Sequence, residues 1–341
     1  MTTRGPSRRD VGATAAALVA LALTGCGGDG ATAPTTTTPE KKGAEPAVAP
    51  TPTTVPAGMV AEVGYAPEGI VHDPVTGLVA VGVREPNRLL VLDPQTLEVQ
   101  RSVPVPGTIR HLSVTAGGGM VLVPNEADDT LLEVDLRTGG MRSTAVGHVP
   151  HDATGALDGE LLVGDEFGGS LTVVRDGRVV KTFDDLQHPG GVVAAGRTAL
   201  VVDVVDYSLT SYDLDRMARV ARVPAGAGPT HGILAAPDRV TVSDTRGGAL
   251  ILFSIEPLRQ VARLDVGTSP YGLAADPASR TVWVTLTATN EVLQLDLAGD
   301  VPRVAARWPT VRQPNTVAVD PVTRTLWIAS RTDGVVQRIS R

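Results

Sequence analysis

From about Tyr65 to its last residue the chain repeats itself, and that period decides what it can fold into. The stretches "PEGIVHDPVTGLVAVGVREPNRLLVLDPQT" from Pro67, "PYGLAADPASRTVWVTLTATNEVLQLDLAG" from Pro270 and "PNTVAVDPVTRTLWIASRTDGVVQRIS" from Pro314 share one plan. Each begins with Pro and a polar or small residue. A short apolar run, an Asp-Pro turn, an alternating strand, a polar loop and another strand follow. Less regular copies start near Arg110, Pro150, Pro189 and Pro229, which makes seven units. A spacing of roughly forty residues is the period of four-stranded propeller blades.

Local chemistry agrees with strands. The runs "TVWVTL", "LLVLD", "TLLEVDL" and "VLQLDL" alternate or are rich in Val and Leu. Asp73-Pro74, Asp93-Pro94, Asp276-Pro277 and Asp320-Pro321 place Asp and Pro where a type I turn wants them, so these carboxylates read as turn residues before ligands. The connections are too short for the crossovers of a parallel sheet, and amphipathic helical stretches of useful length are absent. The expected fold is therefore all-β: a seven-bladed β-propeller of four-stranded antiparallel blades. The last unit supplies only "NTVAVD", "TLWIAS" and "GVVQRIS", whereas "GMVAEVG" (58–64) precedes the first unit as a spare strand. That strand is expected to close the last blade and so cover two open sheet edges. Trp283 and Trp327 occupy matching strand positions and are expected to pack between blades.

The N-terminus reads differently. Arg4, Arg8 and Arg9 precede the apolar run "ATAAALVALAL", which is too short for a confident membrane span and has the form of a signal peptide over 1–25. Cys26 is the only cysteine of the chain. Residues 26–57 are rich in Thr, Pro, Ala and Gly and are expected to form a flexible tether before a propeller domain at 58–341. The whole chain has 30 Lys and Arg against 37 Asp and Glu. Loss of 1–25 would leave 27 against 36, a net charge of −9. An acidic domain without a basic patch argues against nucleic acid as a partner. A monomer is expected.

Three resemblances add to this reading. Leu23-Thr24-Gly25-Cys26 resembles the lipobox of bacterial lipoproteins, which implies cleavage before Cys26, lipidation there, and an extracytoplasmic domain held at the cell membrane or envelope. Ser7-Arg8-Arg9 resembles part of a twin-arginine export signal, so Sec and twin-arginine export both stay open. The aligned strands "DTLLEVDLRTG" and "NRLLVLDPQTLEVQRSVPVPG" resemble the YVTN type of β-propeller repeat. The nearest matches to its tetrapeptide are "VLVPN" and "VWVTL". Related propellers include the virginiamycin B lyase, gluconolactonase and NHL types.

In a propeller the first strand of each blade lines a central channel, and the second returns to the same mouth. The lead-in positions are Glu68, Arg110, His151, Gly190, His231, Tyr271 and Asn315. One step further in lie Gly69, His111, Asp152, Gly191, Gly232, Gly272 and Thr316, whose glycines suit a tight turn. The ends of the second strands supply Arg84 and Glu85, Asn125 and Glu126, Asp165 and Glu166, Asp203 and Asp206, Asp244, Thr285 and Thr287, and Ser330 and Arg331. Glu68, Arg110, His111, His151, Asp152, His231, Tyr271, Asn315, Asn125, Asp165, Glu166, Asp203, Asp244 and Arg331 are accordingly the candidate ligand-binding residues of the mouth.

Three functions fit such a mouth. One is a binding module for a small molecule or a protein. A second is a metal-assisted lyase or lactonase: the lyase resemblance implies His231 and His151 as acid/base residues, and the lactonase resemblance implies Glu68, Asp203 and Asp244 as ligands to Mg, Ca or Zn. A third is a scaffold in an envelope assembly. A structural alternative is that His151 and His231 pair with nearby carboxylates around a water-filled channel. His72, His148 and His188 are expected in turns or on the surface.

Overall fold

The computed structural model describes residues 42–299 and 301–340; residues 1–25, expected to be a signal peptide, and Cys26 lie outside the described residues. The strands form seven four-stranded antiparallel sheets, each a meander of consecutive neighbours except the last. Blades 1 to 6 span 68–104, 113–145, 150–183, 189–224, 229–265 and 270–309. Blade 7 takes three strands from 314–339 and its outer strand from Met59–Glu62, with Met59 opposite Arg338 and Glu62 opposite Val335. The expected closure by "GMVAEVG" is the one observed. One short 3-10 turn, Leu157–Gly159, interrupts the strands, and no helix of the described residues is long and apolar enough to cross a membrane.

The core is divided among the blade interfaces. Leu90, Val336 and Trp327 join blades 1 and 7, Leu89 and Val121 join blades 1 and 2, and Leu122 and Val163 join blades 2 and 3. Comparable clusters link each remaining pair around the ring. Burial follows position in the blade: second and third strands bury both faces and are mostly apolar, whereas the outer strands are largely exposed. Trp283 and Trp327 are fully buried in the clusters of blades 6 to 7 and 7 to 1, as their repetition predicts, and Trp308 lies on the outer strand of blade 6. The Asp-Pro turns are also as read. Asp93 accepts the amides of Gln95 and Thr96, and Asp73 accepts those of Val75 and Thr76. Asp73 further accepts Gly119 N of blade 2.

The described part of the expected tether is not free of the propeller. Residues 42–57 belong to the same compact unit and run along the mouth face of blades 4 to 7. Gln313 grips this strap twice: its Oε1 accepts Ala49 N at 2.8 Å and its Nε2 donates to Ala47 O at 2.9 Å. Ser269 Oγ accepts Ala47 N, Asn290 Nδ2 donates to Pro50 O, and Arg312 donates to Ala49 O. Arg246 and Tyr207 hold the carbonyl of Lys42. Pro and Ala composition predicts little self-burial, but these contacts use the strap's backbone, which composition does not reveal.

Candidate functional site at the channel mouth

Each blade except blade 2 starts with a β-bulge. The ladder pairs Pro150 with Asp165 and then skips to Asp152 with Gly164; similar skips follow Glu68, Pro189, Pro229, Pro270 and Pro314. A bulge leaves residues unpaired and re-aims their side chains. Here it frees His151, His231, Tyr271 and Asn315 from the ladder. In blade 2, which lacks a lead-in proline, the regular first strand is only Ser113–Val114. Arg110 and His111 therefore precede the ladder.

The glycines one step inside have two causes. Gly69 has φ +72°, the left-handed region expected of a tight turn. Gly272 has no such φ; a Cβ there would come within 2.5 Å of Asn315 O in the next blade. Close approach of neighbouring first strands around a narrow channel, not turning, excludes a side chain there.

The bulges and the irregular start of blade 2 bring six blades' polar groups together. His151 Nδ1 lies 3.2 Å from Glu126 Oε1 and 3.2 Å from Glu166 Oε2. Arg110 Nε lies 3.1 Å from the same Glu126 oxygen. His111 stands between His151 and His231, with ring centroids 4.6 and 4.8 Å away, and its Nε2 is 3.4 Å from His231 Nε2. The His231 ring meets Tyr271 edge-on at 4.5 Å. His231 Nδ1 is buried without a hydrogen-bond partner. Beneath this cluster the first strands enclose a channel of about 270 Å³, lined at its upper end by His111, His231, Asp152 and Asn315.

Environment separates the three imidazoles. Burial holds His111 well below the ordinary histidine range, and the nearby His151 and His231 add to the effect. Burial, together with the His151 charge, holds His231 down at about 3. Burial also opposes a charge on His151, but the hydrogen bond to Glu126 and the charge of Glu166 outweigh it and raise His151 above the ordinary value. Glu126 is shifted down because His151 and Arg110 outweigh its burial. Two neutral imidazoles thus stand beside a charged one. Asp152 is raised to about 6 by burial, although Val192 N and Ala153 N both donate to it. Burial and the carboxylates of Glu68 and Glu45 raise Tyr271.

The ends of the second strands hold two kinds of residue that the sequence presents as one ring. Asp165 accepts Gly147 N, Asp203 accepts Gln187 N and His188 N, and Asp244 accepts Ala227 N and Gly228 N. All three are fully buried. Each clamps the loop that leads into its own blade. Asn125 is likewise buried, its amide donating to Asp128 and Thr130. These side chains carry the architecture, and Asp203 and Asp244 share no contact with Glu68 that would make a metal site. Glu68 instead pairs with Arg84, lies 3.7 Å from Arg331 and accepts Asn315 Nδ2 at 3.3 Å. The next residue along turns into the mouth: Arg84, Glu126, Glu166 and Arg331. Glu126, the pivot of the cluster, is the residue that sequence reading placed in the ring without singling it out. Its signal is its position one past the buried end of a second strand, Asn125, as Glu166 is one past Asp165.

The remaining histidines are structural or peripheral. His72 stacks on Trp327 at 5.0 Å and is half-buried, a packing role in place of the expected turn or surface one. His148 pairs with Asp129 on the surface, and His188 meets Phe167 edge-on.

Geometry selects one possible cation site. Glu126, His151 and Glu166 are the one such group of metal-ligating side chains among the described residues, with ligand atoms all within 4.8 Å of one another. Atoms each about 2.1 Å from a common zinc ion at near-tetrahedral angles are separated by roughly 3.4 Å; the two spacings to His151 Nδ1 are 3.2 Å, and the carboxylate oxygens lie within 4.8 Å of each other.

No protein-family model matches the sequence, and no curated protein matches it. Solved structures do match the fold. Virginiamycin B lyase from Staphylococcus aureus superposes with TM-score 0.69 at 14% identity, over 83% of this chain and 99% of that one. Hydrazine synthase from Kuenenia stuttgartiensis gives 0.70 at 17%, over 81% and 96%. The WD40 repeats of RRP9 give 0.73 at 12%, over 84% and 99%. The likeness is one of fold.

Proposed function

We propose that this chain is a ligand-binding propeller whose site is the channel mouth, with Glu126, His151 and Glu166 holding a divalent cation. The carrying observation is the convergence of His151 Nδ1 on both carboxylates at 3.2 Å. The clamps at Asp165, Asp203 and Asp244 already fix the loops, while burying three imidazoles, two of them neutral, costs stability. Without a cation the protonated His151 and Arg110 balance the two carboxylates. Glu126, His151 and Glu166 would hold such a cation, with the His151 nitrogen giving up its proton to bind it. One imidazole and two carboxylates suit Zn²⁺ or Mn²⁺ better than Ca²⁺. We place the domain outside the cytoplasm, tethered through lipid on Cys26, on the strength of the Leu23–Cys26 pattern alone. Labelling with a fatty acid that Cys26→Ser abolishes would support this tether.

Calorimetric titration of Zn²⁺ and Mn²⁺ tests the site. Saturable binding of one ion per chain is expected, weakened at least ~100-fold in the Glu126→Gln/Glu166→Gln double variant. Binding that the double variant leaves unchanged would sink this site.

A second reading, a lyase, is favoured by one observation: neutral His231 lies between His111 and Tyr271 at the top of the channel. A neutral imidazole can accept a proton. One solved structure similar in fold is an inactive virginiamycin B lyase, with a histidine replaced by alanine, bound to quinupristin. Incubation with quinupristin, followed by mass spectrometry, checks this reading. Cleavage lost in His231→Ala supports it, and an intact substrate with the metal-loaded protein contradicts it.

A further inference from the structure

Three arginines face two carboxylates in the same mouth, next to the Glu126–His151–Glu166 cluster. Arg84, from blade 1, pairs with Glu68; Arg331, from blade 7, stands 3.7 Å from Glu68; Arg110, from blade 2, bonds Glu126. Glu68 is already engaged by Asn315. Glu126 is shared with His151. The positive charge of this sector therefore exceeds what its partners neutralise, in a chain whose overall charge is −7. Burial lowers the pKa of Arg84, and the charges of Arg331 and Arg110 press it in the same direction.

The arginines also keep donors available. Arg84 Nε is buried and has no hydrogen-bond partner. Arg331 and Arg110 keep 41% and 44% of their side chains exposed, toward which a ligand has access. The other arginines of the mouth face are differently employed. Arg246 and Arg312 donate to strap carbonyls, and Arg263 pairs with Asp244 and Asp265. A planar guanidinium presents a fork of donors that matches carboxylate and phosphate oxygens.

We infer that Arg84, Arg110 and Arg331 form an oxyanion pocket that receives the carboxylate or phosphate group of the mouth's ligand. This rests on reading the mouth as a ligand site, and it defines the ligand class as anionic. Glu68 is the internal occupant that such an anion displaces from Arg331. The anion then lies beside the Glu126–His151–Glu166 face, so one ligand can reach both. Tyr271, which feels the charges of Glu68, Arg110 and Arg331, flanks the same space.

The test uses the full-length protein in metal-depleted, low-salt buffer, with inorganic phosphate and succinate as separate calorimetric probes. Saturable binding of at least one probe is expected. Arg331→Gln, at an exposed rim position, should weaken it by ~10-fold or more, as expected for loss of a charge-assisted hydrogen bond. Arg178→Gln, at an exposed position on the outer strand of blade 3, should leave it unchanged. Glu68→Gln should tighten it, because the competing carboxylate is gone; a network with a merely structural role predicts no such gain. Phosphate binding alone assigns a phosphate-bearing ligand, and succinate binding alone a carboxylate. No saturable binding of either probe, or binding unaffected by Arg331→Gln, overturns the inference. Since no metal is present, failure of the cation site leaves this result standing, and the reverse also holds.

Discussion

His231 illustrates how a residue's neighbours, and not its type, set its chemistry. Although the repeat pattern sets His231 level with His151, the ladder puts it one step further in, at the register position of Asp152, and burial holds it neutral whereas His151 is shifted toward its charged form. The difference is two carboxylates, Glu126 and Glu166, each one residue beyond the buried end of a second strand. The repeat brought both histidines to the mouth, but it set His231 in the outer ring, because the local sequence does not show that its bulge takes up one more residue after Pro229. It could not show which carboxylates turn inward, since Asp165 and Glu166 are adjacent and similar in type but opposite in role. One consequence is a pH dependence of stability. The unfolded chain protonates His231 near the ordinary value of 6.5, whereas the folded chain holds it at about 3. The folded pKa is depressed, so this contribution is fully present above pH 6.5. It is lost progressively as pH falls from there toward 3. The slope approaches about 1.4 kcal/mol per pH unit, softened by water reaching the ring. Urea unfolding of His231→Gln between pH 6.5 and 4 should show a shallower loss of stability than the parent. An identical slope would show that His231 titrates alike in both states.

Strands were the most legible elements, because alternation and Asp-Pro turns are local signals. The strap was not legible. Its residues look like a linker, and the groups that hold it come from positions more than 160 residues away, as with Tyr207 and Lys42. Gln313 is its main anchor, through two hydrogen bonds to Ala47 and Ala49. Gln313→Ala should release the strap while leaving the blades intact. Hydrogen exchange at the Ala49 amide is expected to speed up by at least ~10-fold, as for the loss of one or two hydrogen bonds, with Leu90 and Val91 unchanged. Unaltered exchange at Ala49 would mean that neighbouring contacts suffice.

At the scale of the molecule, the ring is closed by pairing the start of the described chain with its end. Gln337 reinforces this: it is fully buried, its Oε1 accepts Val311 N, and its Nε2 donates to Ala57 O and Pro309 O. Each blade interface has its own apolar cluster, so opening one interface exposes both of its neighbours' faces. Deleting Met59–Val63 should therefore lower the unfolding midpoint of the whole domain, observed as one shifted transition by circular dichroism. A midpoint equal to the parent's would show that closure contributes nothing. The repeat made this architecture readable, since seven similar units leave few alternatives. Function was less readable because the mouth joins residues from separate blades, and no spacing along the chain encodes their distances.

The central claim is that Glu126, His151 and Glu166 form a cation site in which metal and proton compete for His151. Zn²⁺ affinity measured by calorimetry from pH 5.5 to 7.5 tests it most directly. His151 has a raised pKa, so its proton is held at the acidic end and released as pH rises. The account predicts that affinity climbs with pH, by up to ~10-fold per unit while His151 is protonated, and that Glu126→Gln/Glu166→Gln removes the binding. Affinity independent of pH, or retained in the double variant, would contradict it.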